Sequence, residues 1–250
     1  MKISVVTVCF NSRASIARTI QSFLAQSHAD KELLVIDGGS TDGTADIVRG
    51  FGSDLIRVIS EKDRGIYDAM NKGLANFAGD AVGFLNADDT YHDDCVLGRI
   101  AHGLEGADAV YGDLIMIADR VTGEVVRTWN AGEFAPGAFR KGWMPPHPTF
   151  YLRRELADRT GWFDLSYRIS SDYDFMLRAL ELQNARTRHI PHVLVDFMMG
   201  GMSTTGPLAV IRGNLECLRA RQRHLGAPLV DAALFLKPLR KLRQLARRNG

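Results

Sequence analysis

Glu32-Leu33-Leu34-Val35-Ile36-Asp37-Gly38-Gly39-Ser40-Thr41-Asp42-Gly43-Thr44 changes character twice in a short space. Its apolar run reads as a strand buried on both faces and stops at an acid. A Gly-rich turn follows, and Thr44 to Val48 reads as a short helix with Thr41 and Asp42 as cap candidates. A strand apolar on both faces belongs in a parallel sheet, where a helix brings the chain back for the next strand. The same unit recurs on either side. Ile3-Ser4-Val5-Val6-Thr7-Val8 is a β-branched strand, followed by a helix from Ser15 to Gln26 with Ile16, Ile20, Phe23 and Leu24 at helical spacing. Leu55 to Ile59 is a third strand, Ile66 to Phe77 a helix through Met70 and Leu74, and Ala81 to Leu85 a fourth strand ending at Asn86-Ala87-Asp88-Asp89. The alternation predicts an α/β fold, a mostly parallel, Rossmann-like sheet with helices on both faces and right-handed crossovers.

Beyond Asp89 the pattern changes. Asp93 to Leu104 reads as a helix. Ala109 to Ile117 and Glu124 to Trp129 read as a hairpin around Arg120-Val121-Thr122-Gly123. Phe134 to His147, rich in Gly, Pro and aromatic residues, reads as loop. Tyr151 to Arg159 and Asp172 to Leu182 read as helices, His192 to Phe197 as a late strand, and Leu208, Ile211, Leu215 and Leu218 mark a further helix. From Arg219 to the end there are nine Lys or Arg side chains against Asp231 alone, with Leu236, Leu239, Leu242 and Leu245 beside them. Such a tail is either a basic amphipathic helix on an anionic membrane or a helix packed on the core with a solvated basic face. No internal repeat or low-complexity linker divides the chain.

Among 250 residues, 46% are hydrophobic and 24% charged, ordinary for a chain with a full core. Lys plus Arg number 31 and Asp plus Glu 29, a net charge of +2, which does not suggest a nucleic-acid partner. Cys9, Cys95 and Cys217 are isolated and form no CxxC or Cys/His ligand spacing, so a structural zinc is not expected and a reducing, cytoplasmic setting is. Lys2 to Phe10 is too short for a signal h-region, and no stretch reaches the roughly 18 apolar residues of a membrane span. No GxGxxG follows the first strand and no GxxxxGK[ST] occurs, which removes support for NAD-linked and P-loop chemistry.

In an open parallel sheet, ligands bind beyond the carboxyl ends of the strands. Asp37 closes the second strand there, and Asp88 and Asp89 close the fourth. Each segment could be a mere turn or helix cap. Together, at equivalent strand ends, they suit a hard divalent cation and a ligand rich in hydrogen-bond donors.

Four stretches, Ser4 to Asn11, Val35 to Thr44, Gly65-Ile66-Tyr67-Asp68-Ala69-Met70-Asn71-Lys72-Gly73 and Phe84 to Asp89, resemble family 2 glycosyltransferases in order and spacing. The resemblance runs over roughly residues 1 to 200 and is nearest in flavour to bacterial surface-polysaccharide, colanic-acid-type transferases. It implies a GT-A fold and inverting transfer from a nucleotide-diphosphate sugar, with Mn²⁺ or Mg²⁺ as cofactor. Residues 1–105 would be the nucleotide-sugar half, 106–205 the acceptor half, and 206–250 C-terminal helices with the basic tail. It assigns Asp37 to the nucleotide base. Val8, Phe10 and Asp88 are further candidates for the donor, and Arg64 and Lys72 beside the third helix are either cations for the phosphate oxygens or solvated helix-end charges. Asp88 and Asp89 would hold the metal. Many relatives carry Asp at the position of Asn86, so this chain departs there. The base that deprotonates the acceptor falls in Ser170-Ser171-Asp172-Tyr173-Asp174, on Asp172 rather than Asp174. Gly200-Gly201-Met202-Ser203-Thr204 resembles the flexible segment that closes over the diphosphate.

The chemistry requires this division. An acceptor hydroxyl titrates far above neutrality, so a carboxylate must take its proton during attack. The diphosphate leaves with growing charge, which a metal neutralises. His147 in its Pro turn is a candidate for acceptor or metal binding or a structural residue, and Trp129, Trp143 and Trp162 are core or rim residues that could stack on a sugar. The acceptor would be a saccharide or a polyprenyl-linked sugar at the cytoplasmic face of the inner membrane, with the tail as a peripheral membrane contact. A sugar-1-phosphate nucleotidylyltransferase is the alternative enzyme, although Asn11-Ser12-Arg13 is not the Gly-rich cationic loop that chemistry wants. An inactive carbohydrate-binding member of the same fold is the non-enzymatic alternative.

Overall fold

The computed structural model describes residues 1–119, 122–199, 207–228 and 233. Four strands, β1 (Ile3–Cys9), β2 (Lys31–Asp37), β3 (Ile56–Ser60) and β4 (Ala81–Phe84), lie parallel in the order β3-β2-β1-β4. The helices α1 (Ile16–Leu24), α2 (Thr44–Gly50) and α3 (Ile66–Asn76) connect them. Side chains alternate across this layer as strand geometry requires. Ile3, Val5, Leu33 and Val35 face one core with Ile16, Ile20 and Phe23 of α1. Val6, Val8, Leu34 and Ile36 face a second core with Tyr67 and Met70 of α3. Both faces are covered, so the strands read as continuous apolar runs. On the second face Gly73 of α3 lies on Val6, where a Cβ would sit 2.4 Å from the valine.

The second half adds β5 (Thr90–Tyr91), α4 (Val96–Gly103), β6 (Ala109–Ile117), β7 (Val125–Trp129), β8 (Tyr151–Arg153), α5 (Arg154–Thr160), α6 (Ser171–Leu177), β9 (Thr187–Met198) and α7 (Pro207–Leu225). The sheet continues from β4 through β8, β6 and β9 to β5, with β7 paired to β6. The mostly parallel sheet expected is uniformly parallel in the first half and mixed in the second. β8 is antiparallel to both β4 and β6, β7 to β6 and β5 to β9, while β6 and β9 run parallel.

Two boundaries differ from the sequence expectation. Tyr151 to Arg159 does not begin as a helix, because its first three residues form β8. The β4 edge needs a partner, and Tyr151 fits there against Gly83, where a Cβ would lie 2.3 Å from the tyrosine ring. The late strand starts at Thr187 rather than His192, its start anchored by Arg186, whose guanidinium pairs with Asp108 at 2.8 Å. The β6–β7 hairpin is present, with Arg120 and Val121 outside the described residues. The Gly200 to Thr204 segment also lies outside them, as does the basic tail apart from Ala233.

Candidate active site

Asp37 ends β2 at the carboxyl edge of the sheet and is fully buried. Its carboxylate accepts hydrogen bonds from the Ser60 hydroxyl at 2.5 Å, from the Ser40 N–H at 3.2 Å and from the Ser40 hydroxyl. The Cys9 thiol points to it at 3.7 Å, and burial with the Asp37 charge pushes that thiol up to about 12. Gly38 permits Asp63 to close over this turn, since a Cβ there would lie 2.4 Å from the Asp63 carboxylate. The loops after β1 and β2 are tied together. Asn11 accepts from the Thr41 N–H at 3.0 Å, and Asp42 accepts from the Arg13 N–H and from the Thr44 N–H at the start of α2, each at 3.0 Å. Phe10 is exposed beside Cys9, whereas the Val8 side chain lies in the core and offers a ligand little beyond its main chain.

At the end of β4, Asn86 to Asp89 form a turn closed by the Asp89 N–H on the Asn86 carbonyl at 3.1 Å. Burial separates the two acids. Asp89 is fully buried, with one carboxylate oxygen accepting from the Asn86 amide at 3.0 Å and the other from the Met198 N–H at 3.0 Å. Asp88 is half-buried. The residue that departs from the acidic pattern, Asn86, thus supplies a donor that holds Asp89.

Asp172 is the second residue of α6 and is half-buried. The Tyr67 hydroxyl donates to the Ile169 carbonyl at 2.5 Å and lies 3.3 Å from Asp172. Burial first, then the Asp172 charge, push the Tyr67 phenol far up, so it stays protonated beside the carboxylate. Asp174 is buried instead, between Arg178 at 2.8 Å and His224 at 2.9 Å. Of the two acids in the motif, only Asp172 is open to a ligand.

Two residues that the sequence reading did not single out hold this loop. Glu216 of α7 accepts from the Arg168, Ile169 and Ser170 N–H groups at 3.1, 2.8 and 2.9 Å. Burial would raise the Glu216 pKa, but these donors outweigh it and hold it below the usual range. Asn71 of α3 binds the Phe163 main chain twice, accepting at 2.8 Å and donating at 3.0 Å. Neither pairing leaves a local sequence signal, because the partners are far apart in the chain.

The predicted phosphate cations are already engaged. Arg64 is exposed and pairs with Asp68 at 2.9 Å, one helical turn away. Lys72 pairs with Glu61 at 2.9 Å and donates to the Lys62 carbonyl at 2.9 Å, tying α3 to the end of β3. Trp143 is core, bonded to the Ala131 carbonyl at 2.8 Å, Trp129 is partly buried beside Arg127, and Trp162 is 57% exposed next to Phe163. Among the described residues, the one trio of close potential metal ligands is Asp93, Asp94 and Cys95, away from these strand ends.

Known proteins resemble this chain in sequence and in fold. A mycobacterial PGL/p-HBAD biosynthesis glycosyltransferase (Mycobacterium bovis) is 32% identical over 209 residues, covering 81% of this chain and 79% of the relative. An uncharacterized glycosyltransferase of Mycobacterium tuberculosis is 30% identical over 221 residues, covering 86% of this chain and 81% of the relative. Among solved structures, S. aureus TarS 1-349 in complex with UDP-GlcNAc superposes with a TM-score of 0.70 at 19% identity, over 99% of this chain and 71% of that one. A mannosyltransferase from Pyrobaculum calidifontis in complex with GDP-Man and Mn²⁺ has a TM-score of 0.67 at 18% identity, over 99% of this chain and 70% of that one. These likenesses give the GT-A fold. The profile described as Glycosyl transferase family 2 matches residues 4–168, which contain the Asp37 turn, the Asn86 to Asp89 turn and Tyr67, and with the mycobacterial relatives it makes this chain a glycosyltransferase belonging to that family.

Proposed function

We propose that the protein transfers a sugar, with inversion, from a nucleotide-diphosphate donor to an acceptor hydroxyl, and that Asp172 is the base. The observation that carries this reading is the contrast between the two acids of α6. Asp174 is locked by Arg178 and His224, while Asp172 is half-buried beside a phenol that remains protonated. A single displacement needs one such carboxylate. It accepts the proton of the acceptor hydroxyl while that oxygen bonds the anomeric carbon and the nucleoside diphosphate departs on the opposite side.

The donor's base and ribose fit the carboxyl ends of β1 and β2, where Asp37 is held rigid by Ser40 and Ser60 and Phe10 is exposed to stack. Structures similar in fold hold UDP-GlcNAc or GDP-Man, which supports a nucleotide-sugar donor without choosing the base. The residues present fit a divalent cation. Asp88 brings a hard carboxylate to the strand end, Asp89 and Asn86 brace its turn, and the donor's diphosphate would complete an oxygen set suited to Mn²⁺ or Mg²⁺. When bound, that ion neutralises charge on the leaving diphosphate. In this reading Asp89 positions Asp88 instead of sharing the ligand role.

For the acceptor, a lipid-linked sugar is favoured over a free saccharide. Leu208, Ile211 and Leu215 are exposed on α7, the helix whose Glu216 holds the loop before Asp172. A cytoplasmic location at the inner membrane face goes with that choice. Among the described residues no helix is long and apolar enough to cross a membrane, so the contact would be peripheral. Donor hydrolysis and transfer assays across UDP- and GDP-sugars, with and without Mn²⁺, test the reading. Turnover that requires the metal and vanishes in Asp172→Asn is expected, and nucleotidyl transfer from a sugar phosphate would replace the reading with the alternative chemistry.

A further inference from the structure

Phe84 ends β4 two residues before Asn86, and its ring stacks on His147 at 5.4 Å between centroids. Phe163 stands edge-on to both rings, at 5.3 and 5.9 Å, and stacks on Tyr67 at 5.9 Å. One aromatic cluster thus runs from the donor-acid turn to the phenol beside Asp172. His147 lies inside it and is 8% exposed. Its Nε2 has no hydrogen-bond partner. The turn that carries it is fixed by Pro146 and Pro148, by the Phe150 N–H on the His147 carbonyl at 3.0 Å, and by the Thr149 hydroxyl on the Pro146 carbonyl at 2.8 Å. Such a backbone cannot swing to find a partner elsewhere. Buried polar nitrogens are rarely left unpaired, and an orphan of this kind points to a group that arrives on binding.

We propose that His147 binds the sugar being transferred, through a hydrogen bond between its Nε2 and a hydroxyl of that ring. The inference deepens the proposed function and rests on it. In a single displacement the transferred ring lies between the diphosphate and the base, and His147 lies in the cluster that spans the Asn86 to Asp89 turn and Asp172. Burial also keeps the imidazole neutral, with the Asp172 charge only partly opposing, so one nitrogen can accept or donate as a hydroxyl requires.

The test uses the full chain labelled with ¹⁵N-histidine, with the His147 signals assigned through His147→Gln and His147→Phe. UDP and GDP are titrated first with Mg²⁺, which is diamagnetic and leaves nearby signals visible, followed by their glucose, galactose, mannose and N-acetylglucosamine derivatives. The expected result is an Nε2 signal that moves with a sugar nucleotide and not with the bare diphosphate. Calorimetry of His147→Phe, which retains an aromatic ring, should show unchanged diphosphate binding and about tenfold weaker binding of that sugar nucleotide, the loss of one net hydrogen bond. An Nε2 signal unmoved by a sugar nucleotide that binds would overturn the inference, as would equal affinity in His147→Phe. Absence of any diphosphate binding would instead overturn the proposed function, and the inference with it.

Discussion

At the scale of residues, the carboxylates divide by burial, and each division predicts a measurable difference. Asp172→Asn should lower turnover by at least about 10²-fold, the usual worth of a general base, while leaving thermal stability and nucleotide binding in place. Asp174→Asn should do the reverse. It leaves Arg178 and His224 without their shared buried partner, at a cost of about 3 kcal/mol by chemical denaturation. Near-wild-type turnover in Asp172→Asn would move the base elsewhere. Asp88→Ala should abolish the gain in diphosphate affinity that Mn²⁺ gives, with the melting temperature nearly unchanged. Asp89→Ala strips the Asn86 amide and the Met198 N–H of their acceptor, so it should cost about 2 kcal/mol in stability before any effect on binding is read. These distinctions were beyond the sequence. It brought Asp37, Asp88 and Asp172 forward, but two adjacent acids look alike until one of them is seen to be enclosed. For Arg64 and Lys72 the sequence likewise did not show that Asp68 and Glu61 each lie 2.9 Å from the cation.

At the scale of elements, α7 is more than an appendage to the sheet. Through Glu216 it gathers three consecutive N–H groups of the loop that delivers Asp172, and Arg223 adds a bridge to Asp164 at 2.7 Å. Glu216→Ala should therefore lower turnover with little change in donor affinity and reduce stability by about 2 kcal/mol. Equal kinetics in that variant would show that the loop holds its place without α7. Gly73→Ala tests another packing. The gain in helix propensity is about 1 kcal/mol, but the new methyl meets the buried Val6 in the middle of β1, and a net loss of about 1–2 kcal/mol is expected in denaturation. The first four strands were legible because parallel strands covered on both faces carry an unmistakable apolar run. β8 was not, since three residues followed directly by a helix leave no period of their own. Its identity is set by the open edge of β4, a partner distant in the chain.

At the scale of the whole molecule, acid should loosen the fold in two steps. His147 is held below the ordinary imidazole value by burial, so the unfolded chain binds its proton first, and stability falls as the pH drops below about 6.5. Glu216, Asp164 and Asp108 are also held low, and the stability they contribute above about pH 4.5 is lost as the pH falls through their folded values. Denaturation midpoints between about pH 2 and 7 should show both, and His147→Phe should flatten the upper step alone. Membrane contact is tested at this scale as well: replacing Leu208, Ile211 and Leu215 with Ser should reduce flotation with anionic vesicles, and equal flotation would remove the support α7 gives to a lipid-linked acceptor. Finally, β8 belongs to the later half of the chain, yet it lies hydrogen-bonded between β4 and β6. A gene fragment stopped near residue 105 would bare the whole flank of β4, and the product would self-associate along it. Joining two such genes at that point therefore calls for an incoming half whose strand matches the resident β4. The seam along which these enzymes can be spliced is thus a register between strands and not a place in the sequence.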